Sequence, residues 1–150
     1  MKKVTLALGA IALSIAVTVS AASPQQVIEA RQKNFKAMGK AMKEAGDSIK
    51  TGTPNPAIIK ASAALVAGNA GQIEKWFPVG TVTGGSIKTA AKADIWSDKA
   101  SFAKAAGNFS NAAKTFKIAA DDQDTTAMAK AMGALGGTCK GCHDTFRLKD

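Results

Sequence analysis

Tyrosine is absent from the 150-residue sequence, histidine occurs once and cysteine twice. A structural zinc site wants four Cys or His ligands, and three at most are present, too close together to wrap one ion. Strand-like alternation of apolar and polar residues is also missing, which leaves helical periodicity to organise the chain. Lys and Arg number 20 against 11 acidic residues, for a net charge of +9. The lysines are nevertheless scattered and there is no arginine-rich block, so the charge reads as solubility or attraction to acidic partners rather than nucleic-acid binding.

An uncharged run from Val4 to Ser20 follows Met1-Lys2-Lys3 and leads into Ala21-Ala22. A basic start, an apolar stretch and small residues are the parts of an export signal, with cleavage expected after Ala21 or Ala22. The run falls slightly short of the ~20 residues that span a bilayer, although an uncleaved anchor is the alternative. This divides the chain into a leader, 1–21, and one domain, 22–150, expected in the periplasm.

Within the domain, Ser23-Pro24-Gln25-Gln26 has the form of a capped helix start. Ile28, Arg31, Phe35, Met38, Met42, Ala45 and Ile49 then recur at helical spacing, with Gly46 or Gly52 as the stop. Asn55-Pro56 opens a second helix, whose stripe runs through Ile59, Ser62, Val66, Asn69, Ile73 and Trp76. Pro78 to Gly85 cannot stay helical, and a long connection leads to Ser97-Asp98. Phe102, Ala105, Phe109, Ala112, Phe116 and Ala119 mark the third helix. After Asp121-Asp122-Gln123-Asp124, the fourth carries Met128, Met132, Leu135, Cys139, Cys142 and Phe146. The expected fold is all-α, an antiparallel four-helix bundle with a long loop between helices two and three.

All the soft ligands sit in Cys139-Lys140-Gly141-Cys142-His143. A thioredoxin-like dithiol belongs on a strand-to-helix turn, and a disulfide three residues long would stabilise little. C-x-x-C-H signals covalent attachment of a c-type haem, with His143 able to reach the iron. Gly133, Gly136 and Gly137 precede the motif, each costing about 1 kcal/mol in a helix interior. A thin surface for a flat macrocycle explains them; a bent or frayed helix is the other explanation. No Met follows His143, so a sixth ligand would have to be Met38 or Met42, which otherwise read as core. Met128 and Met132 share the helix of His143 and cannot cross to the other face of the iron.

Cys139-Lys140-Gly141-Cys142-His143-Asp144-Thr145-Phe146-Arg147, with Ala30-Arg31-Gln32 on the first helix and Asp94-Ile95-Trp96-Ser97-Asp98 before the third, resembles cytochrome c′, the high-spin class II c-type cytochromes. Many relatives have Pro-Glu-Ile-Trp where this chain has Ala93-Asp94-Ile95-Trp96, a change in the linker. The resemblance covers the whole domain and implies one covalent haem c, held by thioethers at Cys139 and Cys142 with His143 as the metal ligand. It implies Arg31, Gln32 and Thr89 near the propionates, Phe35 as a distal lid, and Arg147 beside the proximal imidazole. The implied function is not enzymatic: a five-coordinate iron that binds nitric oxide and carbon monoxide above dioxygen, in protection against nitric oxide. An apolar lid offers dioxygen no hydrogen-bond donor. A homodimer through helices one and two is implied, with Ile58 and Val27 as candidate contacts, and so is a periplasmic electron donor of unknown identity. A low-spin electron carrier with Met38 or Met42 on the iron is the alternative.

Overall fold

Every long helix begins at a side chain that satisfies the backbone N–H groups left over at a helix start. The computed structural model describes residues 22–82 and 88–149, and the leader expected over 1–21 lies outside them. Its helices are α1 (Pro24–Lys50), α2 (Pro56–Ala70), the single turn α3 (Asp94–Ser97), α4 (Lys99–Asp121) and α5 (Thr125–Phe146). Ser23 and Gln26 form the full capping box, the Ser23 hydroxyl accepting from Gln26 N–H and Gln26 Oε1 accepting from Ser23 N–H. Asn55 caps α2, Asp98 caps α4 and Asp124 caps α5 through a side-chain oxygen that accepts from first-turn N–H groups. Of the two glycine stops expected for α1, Gly46 lies inside the helix, whereas Gly52 follows its end with φ +77°, a conformation that favours glycine.

The stripes become the core. Ile28, Arg31, Met38, Ala41 and Ala45 are buried on α1, and Ile59, Ser62, Ala63, Val66 and Ala70 on α2. The second stripe does not continue as one helix: Ile73 and Trp76 ride on a separate 3₁₀ turn, Ile73–Trp76, beyond Gly71. α4 packs against both α5 and α2, and α1 packs against α2, while α1 and α5 meet more sparsely. These four long helices form the antiparallel bundle that their periodicity implies. Phe116, Ile59, Leu135 and Val66 are its largest fully buried apolar side chains. Each such burial contributes roughly 1.5–3 kcal/mol.

A local pairing closes one end. Ala91 and Arg147 form an isolated antiparallel bridge, with Lys92 N–H donating to Phe146 C=O at 3.0 Å and Leu148 N–H to Ala90 C=O at 2.7 Å. Lys92 Nζ also donates to the Thr145 carbonyl at 3.0 Å, so the linker supplies a cation and a donor to the C-terminus of α5. Among the described residues no helix is long and apolar enough to cross a membrane.

Candidate functional site

The fourth stripe presents its chemistry on an unbroken helix. α5 runs continuously through Gly133, Gly136 and Gly137, so the glycines neither end nor fray it. A Cβ added at any of the three would meet nothing within 4 Å. Packing between polypeptide segments therefore does not require glycine there, and the thin surface suits a flat group lying along the helix. Cys139 and Cys142 are not joined in a disulfide, and each is half-buried at the edge of the core. Burial pushes both thiols up and keeps them protonated. Partial desolvation pushes the His143 imidazole down, the Arg147 charge adds to this, and Asp144 opposes it. The neutral ring so favoured is the form that ligates a metal. Among the described residues no three His, Cys, Asp or Glu side chains are grouped to hold a metal ion. Iron here would need a group that brings most of its own ligands.

Arg31 lies across the bundle on α1 and is 2% exposed. Its guanidinium donates to Thr81 Oγ1 at 2.9 Å, Thr81 C=O at 2.9 Å and Thr89 Oγ1 at 2.8 Å. Burial pushes its pKa down from the ordinary value, yet an arginine stays charged in a protein. The pairs Lys40–Glu44, Lys43–Asp47, Lys117–Asp121 and Lys140–Asp144 are exposed i,i+4 ion pairs, and Arg31 is in none of them. A buried cation whose hydrogen bonds all go to neutral oxygens fits an anionic partner such as a propionate. The neighbouring Gln32 donates from Nε2 to Lys88 C=O at 2.9 Å. The structure thus brings Arg31, Gln32 and Thr89 to one place.

Thr81 completes this cluster without having been legible in the sequence. The Pro78–Thr81 turn closes through Thr81 N–H to Pro78 C=O, with Gly80 at φ +90° in the third position. That turn delivers the Thr81 hydroxyl to Arg31, fifty positions away in the chain. A hydroxyl in a glycine-bearing loop carries no periodic signal that could have revealed it.

Phe35, one turn beyond Arg31, is half-buried. Its ring is perpendicular to that of Trp76, with centroids 5.4 Å apart, and its centroid lies 6.1 Å from that of Phe77. Met38 is enclosed in the core and Met42 lies at its margin. Arg147 has extended backbone just past α5, and with His143, Asp144, Leu148 and Lys149 it lines a shallow depression of about 230 Å³.

Comparison with known proteins places these observations. The family model for cytochrome c′ matches residues 26–147. A cytochrome c′ from Pararhodospirillum photometricum is 41% identical over 126 residues, covering 84% of this chain and 99% of the relative. Among solved structures, a cytochrome c′ with ligand-controlled dimer dissociation superposes with a TM-score of 0.82 at 29% identity, over 87% of this chain and 100% of that one. Cytochrome c prime from Alcaligenes xylosoxidans is similar in two variant forms, each over 87% of this chain and 100% of that one. A ferrous variant with bound nitric oxide gives a TM-score of 0.77 at 29% identity. A variant with bound carbon monoxide gives 0.76 at 30% identity.

Proposed function

Because the chain belongs to the cytochrome c′ family of non-enzymatic c-type haem proteins, we propose that it is a periplasmic gas-binding protein that takes up nitric oxide and carbon monoxide and protects against nitric oxide. The observation that carries this reading is the Cys139, Cys142 and His143 constellation on one unbroken helix. Bound there, haem c supplies an iron centre able to accept a diatomic ligand. Cys139 and Cys142 would hold it by thioethers, and His143 would offer an imidazole nitrogen to the iron. Arg31, hydrogen-bonded to Thr81 and Thr89, offers a fixed positive charge to the propionates, with Gln32 alongside. Phe35 is the distal lid, apolar and without a hydrogen-bond donor, which disfavours dioxygen. Arg147 lies near His143 and raises the local positive charge.

The nitric oxide and carbon monoxide complexes of the Alcaligenes xylosoxidans protein support the choice of ligands. The expected leader at 1–21, removed after Ala21 or Ala22, supports export. Self-association through α1 and α2 belongs to the same reading: Ile58 is 42% exposed on α2, Val27 is half-buried on α1, and one similar protein forms a dimer. The test of the iron is the absorption spectrum of the unliganded ferrous protein. A high-spin five-coordinate spectrum is expected, and a low-spin spectrum would instead support Met38 or Met42 as a ligand and electron transfer as the role. The test of the lid is Phe35→Ala. Carbon monoxide should then bind faster after flash photolysis, with about tenfold for each 1.4 kcal/mol of ring displacement removed. Equal rebinding rates would reject Phe35 as a lid.

A further inference from the structure

Six of the eight Phe and Trp rings in the chain are in contact with one another at one end of the bundle. Phe77 is the hub. Its ring lies 6.1 Å from Phe35, 6.1 Å from Trp96 and 5.1 Å from Phe102, and the Arg31 guanidinium sits over it at 4.5 Å. From Phe102 the contacts continue to Phe146 at 5.3 Å, on the helix that carries His143. The hub is held by its backbone as well as by its neighbours. Trp96 Nε1 donates to Phe77 C=O at 3.0 Å, and Phe77 N–H donates to Glu74 C=O at 3.3 Å.

We propose that Phe77 is a positioning residue that limits how far the Phe35 ring can swing and ties that swing to the Arg31 anchor. The inference rests on the reading of Phe35 as a lid. The ring of Phe35 is bounded by Trp76 and Phe77, so a ligand that displaces it must work against both. The Phe35–Trp76, Phe77–Trp96 and Phe77–Phe102 pairs are edge-to-face, an arrangement that holds a preferred orientation rather than merely filling space, and the Phe35–Phe77 pair is tilted at 54°. Phe77 cannot yield freely, because the Trp96 hydrogen bond fixes its backbone and the Arg31 cation favours its ring where it stands. An aliphatic side chain would fill part of the same volume without the directional contacts.

The experiment measures carbon monoxide rebinding after flash photolysis in the haem-bearing wild type and in five variants, Phe35→Ala among them. Phe77→Leu should quicken association by about tenfold, the equivalent of 1.4 kcal/mol, and Phe77→Tyr, which keeps the ring, should retain the wild-type rate. Phe109→Leu is the control for general loosening: Phe109 is buried on α4 and, among the described residues, enters no ring pair. It should lower the melting temperature and leave the rate alone. Phe77→Leu combined with Phe35→Ala should be no faster than Phe35→Ala alone, since both remove the same restraint. A crystal structure of unliganded Phe77→Leu should show Phe35 spread over more than one rotamer. If Phe77→Leu does not accumulate as folded protein, Phe77→Met takes its place in every measurement. A wild-type rate in the Phe77 variant while Phe35→Ala is fast overturns this inference and leaves the lid standing; an unchanged rate in Phe35→Ala overturns both.

Discussion

α4 and α5 are antiparallel neighbours of nearly equal length, 23 and 22 residues, and the polypeptide covers them differently. On α4 a buried side chain returns at every turn: Phe102, Ala106, Phe109, Ala113, Phe116 and Ala120. On α5 Met128, Ala131 and Leu135 keep that rhythm, and then no side chain is fully buried until Phe146. The apolar stripe does not stop at Leu135; Cys139 and Cys142 continue it while only half covered. Helix packing accounts for every buried position on α4. It does not account for the second half of α5, where the stripe outruns its protein cover and glycines stand without a steric reason. A stripe of that kind, carrying thiols and an imidazole, is built to meet a group other than another helix.

The most severe way to separate the two helices acts on α5. Cys139→Ala combined with Cys142→Ala should abolish covalent haem entirely, so that acid–acetone extraction leaves a colourless polypeptide. Wild-type chain should stay coloured through the same treatment. Colour lost from the wild type would refute the thioether assignment.

On α4 the corresponding change should damage the fold and spare the chemistry. Phe116 is 0% exposed. Phe116→Ala should cost about 3–5 kcal/mol in denaturant unfolding, as the removal of a buried ring does. The ferrous spectrum of the folded fraction should be unchanged. A spectrum altered as strongly as the stability would erase the distinction between a helix built for packing and one built for a cofactor.

This contrast was partly legible in the sequence because its carriers are local. The capped starts at Ser23 and Asn55, the helix start at Ser97-Asp98, the acidic break Asp121–Asp124, each step of three or four along a stripe and the C-x-x-C-H motif can all be read over fewer than two turns. The contacts that finish the site join segments far apart in the chain. Arg31 reaches Thr81 and Thr89 across 50 and 58 positions. Phe77 gathers Phe35, Trp96 and Phe102, and the Ala91–Arg147 bridge joins a linker to the chain beyond α5. None of these has a repeat, and a single threonine or phenylalanine in a loop looks the same whether it is a hub or a bystander. The break of the second stripe at Gly71 shows the converse: apolar spacing persisted through Trp76 while the helix itself ended at Ala70.

A milder change tests the glycines of α5. Gly136, three residues before Cys139 and seven before His143, shares their face of the helix, and Gly136→Ala places its Cβ in open space. In the Cys139→Ala, Cys142→Ala background it should therefore stabilise the helix by up to about 1 kcal/mol. In the haem-bearing protein the sign should reverse, because the methyl group then intrudes on the surface along which the haem lies. Equal gains in both backgrounds, measured by thermal unfolding, would show that glycine at this position has no part in the site.

The smallest expected effect lies at the start of α4 and turns on pH. The Asp98 carboxylate accepts from Ser101 N–H at 3.1 Å, and its hydrogen bonds with Ser101 hold it below the usual carboxylate range. A lowered value in the folded state means that the cap stabilises fully above the unfolded value, near pH 4, and that this contribution fades as pH falls through the folded value. Asp98→Asn keeps an oxygen acceptor and removes the titration. Its stability should fall less steeply with acid than the wild type's, while Asp98→Ala should already be weaker at neutral pH. The thioethers on α5 do not titrate, so haem should remain attached throughout the same pH range. Acid would then loosen the helix that packing explains and leave the covalent chemistry of its neighbour intact. Parallel curves for wild type and Asp98→Asn would remove the cap from this account.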